Sequence, residues 1–149
     1  MLFRSISFPF TLENTLFQNG IRNSDTTSNT EDSNIIYAAT GNDVVVSYDN
    51  GITKQVLKSF NSTVWDIKTT RKDPKVLYAL TNTNGLWKTI DGGSNWTICN
   101  TNVNSVNLTD LGIYCRIDVS QTNANEIWLL LRNGSSVDKI SKSLDGGLT

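Results

Sequence analysis

Beyond residue 34 the chain reads as short apolar runs cut by polar breaks, with no stretch of helical period. Thr63–Thr69 alternates apolar and polar positions with the period of two of a half-buried strand, and Lys75–Thr81 is a run of β-formers. The same reading predicts strands over 34–40, 43–47, 86–89, 96–99, 113–119, 126–131 and 137–143. Asp73-Pro74, Asn82–Gly85 and Asn133–Ser136 supply the breaks. Before residue 34 the pattern weakens. Residues 23–33 are nearly all polar and read as a solvated loop, while Leu12–Ile21 could supply a degenerate first strand.

Three of the breaks spell nearly one phrase. Ser47-Tyr48-Asp49-Asn50-Gly51, Thr89-Ile90-Asp91-Gly92-Gly93 and Ser143-Leu144-Asp145-Gly146-Gly147 each place a hydroxyl, a spacer, Asp, a spacer and Gly after a strand-like run. The aspartates are 42 and 54 residues apart, a spacing of stacked supersecondary units. Around the second copy, four short strands fall within about 40 residues, the make-up of a propeller blade. The sequence therefore predicts an all-β chain of about three four-stranded antiparallel blades of a β-propeller. The expected organisation is an irregular segment over 1–31, a partial blade over 32–60, a second over 61–108 and a third over 109–149. Propellers typically close with four to eight blades, so three predict a fragment of a longer ring whose uncovered sheet faces would self-associate.

The phrase has a structural chemistry of its own. Gly51, Gly93 and Gly147 suit positive φ in type I′-like turns. Asp49, Asp91 and Asp145 can accept the turn's own amides, with Ser47, Thr89 and Ser143 adding hydroxyl bonds and Trp96 packing over the turn. The alternating acidic positions and terminal Glu of a calcium loop are missing, so neither metal nor cofactor is expected.

Charge and composition narrow the chemistry further. Thirteen basic and fourteen acidic residues leave a net charge of -1, with no basic excess to bind nucleic acid. No apolar run is long enough to span a bilayer, and residues 1–10 are interrupted by Arg4, Ser5, Ser7 and Pro9, unlike a signal peptide. Histidine is absent, which removes Ser-His-Asp and Cys-His catalysis from this segment, and two cysteines cannot build a four-ligand zinc site. Cys99 and Cys115 read as apolar strand residues, with a disulfide between them left open. Four Asn-x-Ser/Thr sequons, from Asn61, Asn95, Asn107 and Asn133, are about what this composition gives by chance.

Ser/Thr-x-Asp-x-Gly-x-Thr-Trp at a turn, preceded by Gly-x-Trp-Lys, resembles the Asp-box, or bacterial neuraminidase, repeat. The resemblance covers roughly residues 32–149, and Trp65–Trp96 carries it best. Lys54 stands where the first copy would have its aromatic, and the third copy stops short of that position. Families sharing the repeat include sialidases, xyloglucan-cleaving glycoside hydrolases, sortilin-type receptors and photosystem II assembly factors. The resemblance implies a propeller whose boxes lie on the outer rim, away from any central ligand site. It also suggests an extracellular or envelope setting. The Arg-Ile-Pro element of sialidases has only imperfect echoes here, at Arg4 and at Arg116-Ile117-Asp118.

Innermost strands line a propeller's channel, which makes Asp66, Arg116 and Asp118 the charged residues best placed for ligand. Asp66 and Asp118, on corresponding strands, form the conceivable carboxylate pair of a glycosidase. Trp65, Trp87, Trp96 and Trp128 suit either sugar stacking or packing between sheets. The expected function is a non-catalytic scaffold for a protein or carbohydrate partner, completed by further blades. The alternative is part of a glycoside hydrolase with an incomplete catalytic set.

Overall fold

The computed structural model describes residues 26–28, 35–99, 102–103, 106–108, 113–133 and 139–148. Three antiparallel sheets follow one another along the chain. Sheet 1 holds β1 (Thr26–Ser28), β2 (Ile36–Thr40), β3 (Asp43–Ser47) and β4 (Gln55–Ser59), in that order. Sheet 2 holds β5 (Val64–Thr69), β6 (Leu77–Thr81), β7 (Leu86–Thr89) and β8 (Thr97–Ile98). The short strands β9 (Asn102–Val103) and β10 (Val106–Asn107) pair with each other. Sheet 3 holds β11 (Ile113–Val119), β12 (Ile127–Asn133) and β13 (Lys139–Ser143). Each sheet is a meander in which sequence neighbours are also spatial neighbours.

One expectation is corrected. The polar stretch read as a solvated loop contains β1, whose Thr26–Ser28 pair with Ala38–Ile36 of β2. Backbone pairing supplies that strand without an apolar pattern of its own. The candidate strand over 12–21 lies outside the described residues.

Sheets pack face to face through two apolar cores. Tyr37, Ala39, Val44 and Val46 of sheet 1 meet Val64, Ile67, Leu77 and Ala79 of sheet 2, with Phe60 between them. Tyr78, Leu80 and Leu86 on the other face of sheet 2 meet Cys115, Ile117, Ile127, Leu129 and Leu131 of sheet 3. Every residue of β6 is buried, because that strand is covered on both sides; this is why Leu77–Thr81 reads as a run and not as an alternation. Strand β5 shows how the face assignment is made. Its register with β6 slips between Val64 and Asp66, so Trp65 is an extra residue in a bulge. The slip lets Val64 and Ile67 share the sheet 1 side although an odd number of positions separates them, and it turns Asp66 toward sheet 3.

Candidate functional site

The three repeated turns share one arrangement of hydroxyl, carboxylate and glycine amide. Ser47 Oγ donates to Asp49 Oδ1 at 2.8 Å and accepts the Gly51 N–H at 2.7 Å. Thr89 Oγ1 does the same toward Asp91 Oδ1 and Gly93 N, at 2.7 and 3.0 Å. Ser143 Oγ repeats it with Asp145 and Gly147, at 2.6 and 2.9 Å. Each carboxylate then accepts from the far side of the turn: Thr53 N–H at 2.8 Å, Asn95 N–H at 2.9 Å, Leu148 N–H at 3.0 Å. A hydroxyl and an Asp, two residues apart, thereby satisfy amides that no ladder reaches.

The backbone explains the composition. Two successive residues take positive φ in every copy: Asn50 and Gly51 at 59° and 87°, Gly92 and Gly93 at 71° and 98°, Gly146 and Gly147 at 75° and 87°. That is the φ pattern of a type I′ turn, and Ile52 N–H closes the first copy onto Asp49 C=O at 3.3 Å. The turn sits inside a seven-residue loop between Ser47 and Gln55, and again between Thr89 and Thr97, so it is longer than a two-residue hairpin.

The same turns are joints between sheets. Trp96 donates its indole N–H to Gly93 C=O at 2.9 Å and meets the Phe60 ring edge-on at 6.0 Å, while Phe60 also touches Trp87 at 5.5 Å. Lys58 of sheet 1 lies 5.5 Å over the Trp87 ring. Trp96 thus packs both over its own turn and against Phe60, which follows the last strand of sheet 1. A second repeated turn, not seen in the sequence, locks against the first. Thr70 and Ser120 hydroxyls accept Lys72 and Thr122 N–H, and the Asp73 and Asn123 side chains accept Lys75 and Asn125 N–H. The Lys75 and Asn125 carbonyls in turn take the Gly92 and Gly146 N–H groups, at 2.9 and 2.8 Å. The available signal was a hydroxyl residue three before Asp or Asn, in Thr70-x-x-Asp73 and Ser120-x-x-Asn123. Across the sheet 2–sheet 3 joint, Thr70 Oγ1 donates to Ser120 C=O at 2.8 Å and Tyr78 OH to Ala124 C=O at 2.8 Å.

Hydrogen bonding sets the acidity of the turns. Chiefly the Asn95 backbone N–H, then the Thr89 hydroxyl and the Asn95 amide, hold Asp91 down at about 2. The Thr53 backbone N–H does the same to Asp49, lowering it from the ordinary value. Burial pushes both thiols up to about 11, so Cys99 and Cys115, which are free and buried, are held as neutral apolar groups.

The charged residues singled out on the innermost strands part company. Asp66 is 3% exposed; its Oδ2 accepts the Ile117 N–H at 3.1 Å and its Oδ1 pairs with Lys68 Nζ at 3.0 Å. It therefore ties β5 to the unpaired edge of β11 and presents no open face to a substrate. Arg116 and Asp118 are exposed. Asp118 Oδ1 accepts the Val119 N–H at 2.9 Å. Register makes the correspondence explicit. Asp66 and Arg116 lie opposite Leu80 and Leu130, whereas Lys68 and Asp118 lie opposite Tyr78 and Trp128. Sheet 3 thus carries the sheet 2 charge pair with its signs exchanged. On that outer face Trp128 and Leu130 are each 41% exposed and Ile140 is 70% exposed, with Lys142 lying 4.7 Å over the Trp128 ring. Among the described residues, no three His, Cys, Asp or Glu side chains converge on a point that would hold a metal, and no helix is long and apolar enough to cross a membrane.

No protein-family model and no curated protein matches the chain. Solved structures do. A GH74 enzyme from Niastella koreensis superposes with a TM-score of 0.63 at 22% identity, covering 83% of this chain and 21% of that one. The GH74 xyloglucanase from Xanthomonas campestris gives 0.63 at 15% identity, over 83% and 22%. YCF48 from Cyanidioschyzon merolae gives 0.61 at 17% identity, over 84% and 34%. The chain thus spans between a fifth and about a third of the length of these three structures. Taken with its three stacked antiparallel sheets, the likeness makes this chain an all-β portion of a β-propeller.

Proposed function

We propose that the chain is part of an Asp-box propeller acting as a rigid scaffold for a protein or carbohydrate partner, without a hydrolytic set of its own. The observation that supports this reading is where its carboxylates are spent. Asp49, Asp91 and Asp145 are engaged within their own turns, and Asp66 is buried against Ile117. A glycosidase needs two carboxylates facing one cleft about 5–9.5 Å across, and Asp66 is withdrawn from that task. The rims and the exposed charged face of sheet 3 offer surfaces on which a partner could dock. Immobilising the protein and screening it against a glycan panel and candidate protein partners, beside an assay for reducing-end release, tests the reading. Binding without release is the expected result; sugar release by the purified chain would refute it.

A second reading is part of a glycoside hydrolase whose remaining catalytic residues lie elsewhere in a longer protein. Two of the similar structures are GH74 enzymes, which is the observation in its favour. Asp118 and Arg116, both exposed, are then the residues to test. Replacing Asp118 by Asn and Arg116 by Gln together in the full-length protein and measuring polysaccharide release decides it: unchanged hydrolysis ends this reading for the pair.

A further inference from the structure

Strand register sets two rows of side chains on the outer face of sheet 3. Arg116, Leu130 and Ile140 stand side by side in one row, and Asp118, Trp128 and Lys142 in the next. All six are exposed, while Ile117 and Leu129, between the rows, point into the core shared with sheet 2. Sheet 2 shows what the same face does when it is covered. Leu80 and Tyr78 hold the register positions of Leu130 and Trp128, and sheet 3 buries both completely. On sheet 3 the corresponding strip of Trp128, Leu130 and Ile140 is open to solvent, with Arg116 and Asp118 along one side.

We propose that this face is the interface of a two-fold dimer, covered by the same face of a second copy of the chain. A two-fold axis lying between the two sheets, across the strands and midway between the rows, turns each row onto the other. Arg116 then meets Asp118 of the second copy, Leu130 meets Trp128, and Ile140 meets the aliphatic stem of Lys142, each contact occurring twice. The face is complementary to itself in charge and in apolar contact, as an isologous interface must be. Asp118 spends one oxygen on the Val119 N–H at 2.9 Å, and a carboxylate has a second to offer Arg116. Lys142 pairs with Glu126 at 2.6 Å and lies over the Trp128 ring, so its charge is met within its own sheet and its stem covers apolar surface. Head-to-tail packing on sheet 1 fits less well. The groove on that sheet's far side, floored by Ala38 and Val45, is lined by Lys54 and by no carboxylate that could receive Arg116.

Charge reversal split between two proteins tests this geometry. Arg116→Asp and Asp118→Arg are made separately in the full 149-residue chain, at positions exposed enough to leave the fold intact, which circular dichroism checks. Sedimentation is then measured for the unaltered chain, each variant and their equal mixture. The unaltered chain is expected to dimerise. Either variant alone sets like charges opposite one another and should dimerise about ten-fold or more weakly. In the mixture every position 116 again faces an opposite charge at position 118, so a one-to-one complex should return, identified by native mass spectrometry. Ile140→Asp, at the most exposed apolar position of the face, should weaken the dimer independently of the charge pair. A monomeric unaltered chain, as when another sheet or another protein covers this face, overturns the proposal. So does a dimer that these substitutions leave intact, or a mixture that stays monomeric. Growth into open-ended oligomers also overturns it, because that is the mark of head-to-tail packing.

Discussion

Asp66 Oδ2 lies 3.1 Å from the backbone nitrogen of Ile117, so a carboxylate of sheet 2 caps an edge N–H of sheet 3. A buried acceptor of this kind is worth more than its length suggests, because its removal strands a donor away from water. Asp66→Ala is expected to lower stability by about 1.5–3 kcal/mol, the range for hydrogen bonds to charged groups. Asp66→Asn, which keeps an oxygen facing Ile117, should cost less. Urea unfolding of the two variants checks the order, and a neutral Asp66→Ala would show that the contact does not hold the joint.

The surroundings of Gly93 and Gly51 predict an asymmetry between two chemically identical substitutions. Gly93→Ala must accommodate both a φ of 98° and the Leu57 side chain, whereas Gly51→Ala meets a φ of 87° in open space. The left-handed conformation alone costs roughly 1–2 kcal/mol. Gly93→Ala should exceed that figure and Gly51→Ala should stay near it, as read from denaturation midpoints. Equal effects would mean that the second turn is not wedged against the first sheet.

Thr89 is buried, and its hydroxyl both donates to Asp91 and accepts the Gly93 N–H. Thr89→Ala leaves that amide without its acceptor and should cost about 1–3 kcal/mol. Thr89→Ser retains the oxygen and should restore most of the loss. Comparable destabilisation by both variants would assign the effect to the lost methyl group.

The turn also sets an acid limit. Asp91 is held at about 2 in the folded chain, below its ordinary 3.8. A lowered carboxylate contributes stability in full above the unfolded value, and loses it as pH falls from there through the folded value. Stability should therefore decline between about pH 4 and pH 2, and Asp91→Asn should flatten that decline. Unfolding midpoints measured across this window provide the check. A slope that Asp91→Asn leaves unchanged would contradict the assignment.

Much of the fold was legible because the repeat marks each sheet at the same point. Strands β2, β3, β5 to β7 and β11 to β13 fall where alternation and turn residues place them. β1 was not legible: Thr26-Thr27-Ser28 has no apolar pattern, and only pairing with β2 makes it a strand. The environment of Asp66 was hidden for a different reason. The bulge at Trp65 shifts the face on which Asp66 lands, and a period-two reading carries no sign of an inserted residue. The turn chemistry was readable at the level of a single turn, from hydroxyl, Asp and Gly. Its second role, receiving Leu57 or Cys99 from the preceding sheet, depends on partners 36 and 48 residues away that the motif does not encode.

Proximity across the sheet joints is the feature from which the whole arrangement follows. Nuclear Overhauser contacts between the Gly93 α-protons and the Leu57 methyls, and between the Gly147 α-protons and the Cys99 β-protons, report it directly. Both sets are predicted to be strong, because a single side-chain carbon placed on Gly93 would stand 2.6 Å from Leu57, and one on Gly147 would stand 3.0 Å from Cys99. Their absence in a folded, β-rich sample would mean that the repeated turns do not bring successive sheets face to face.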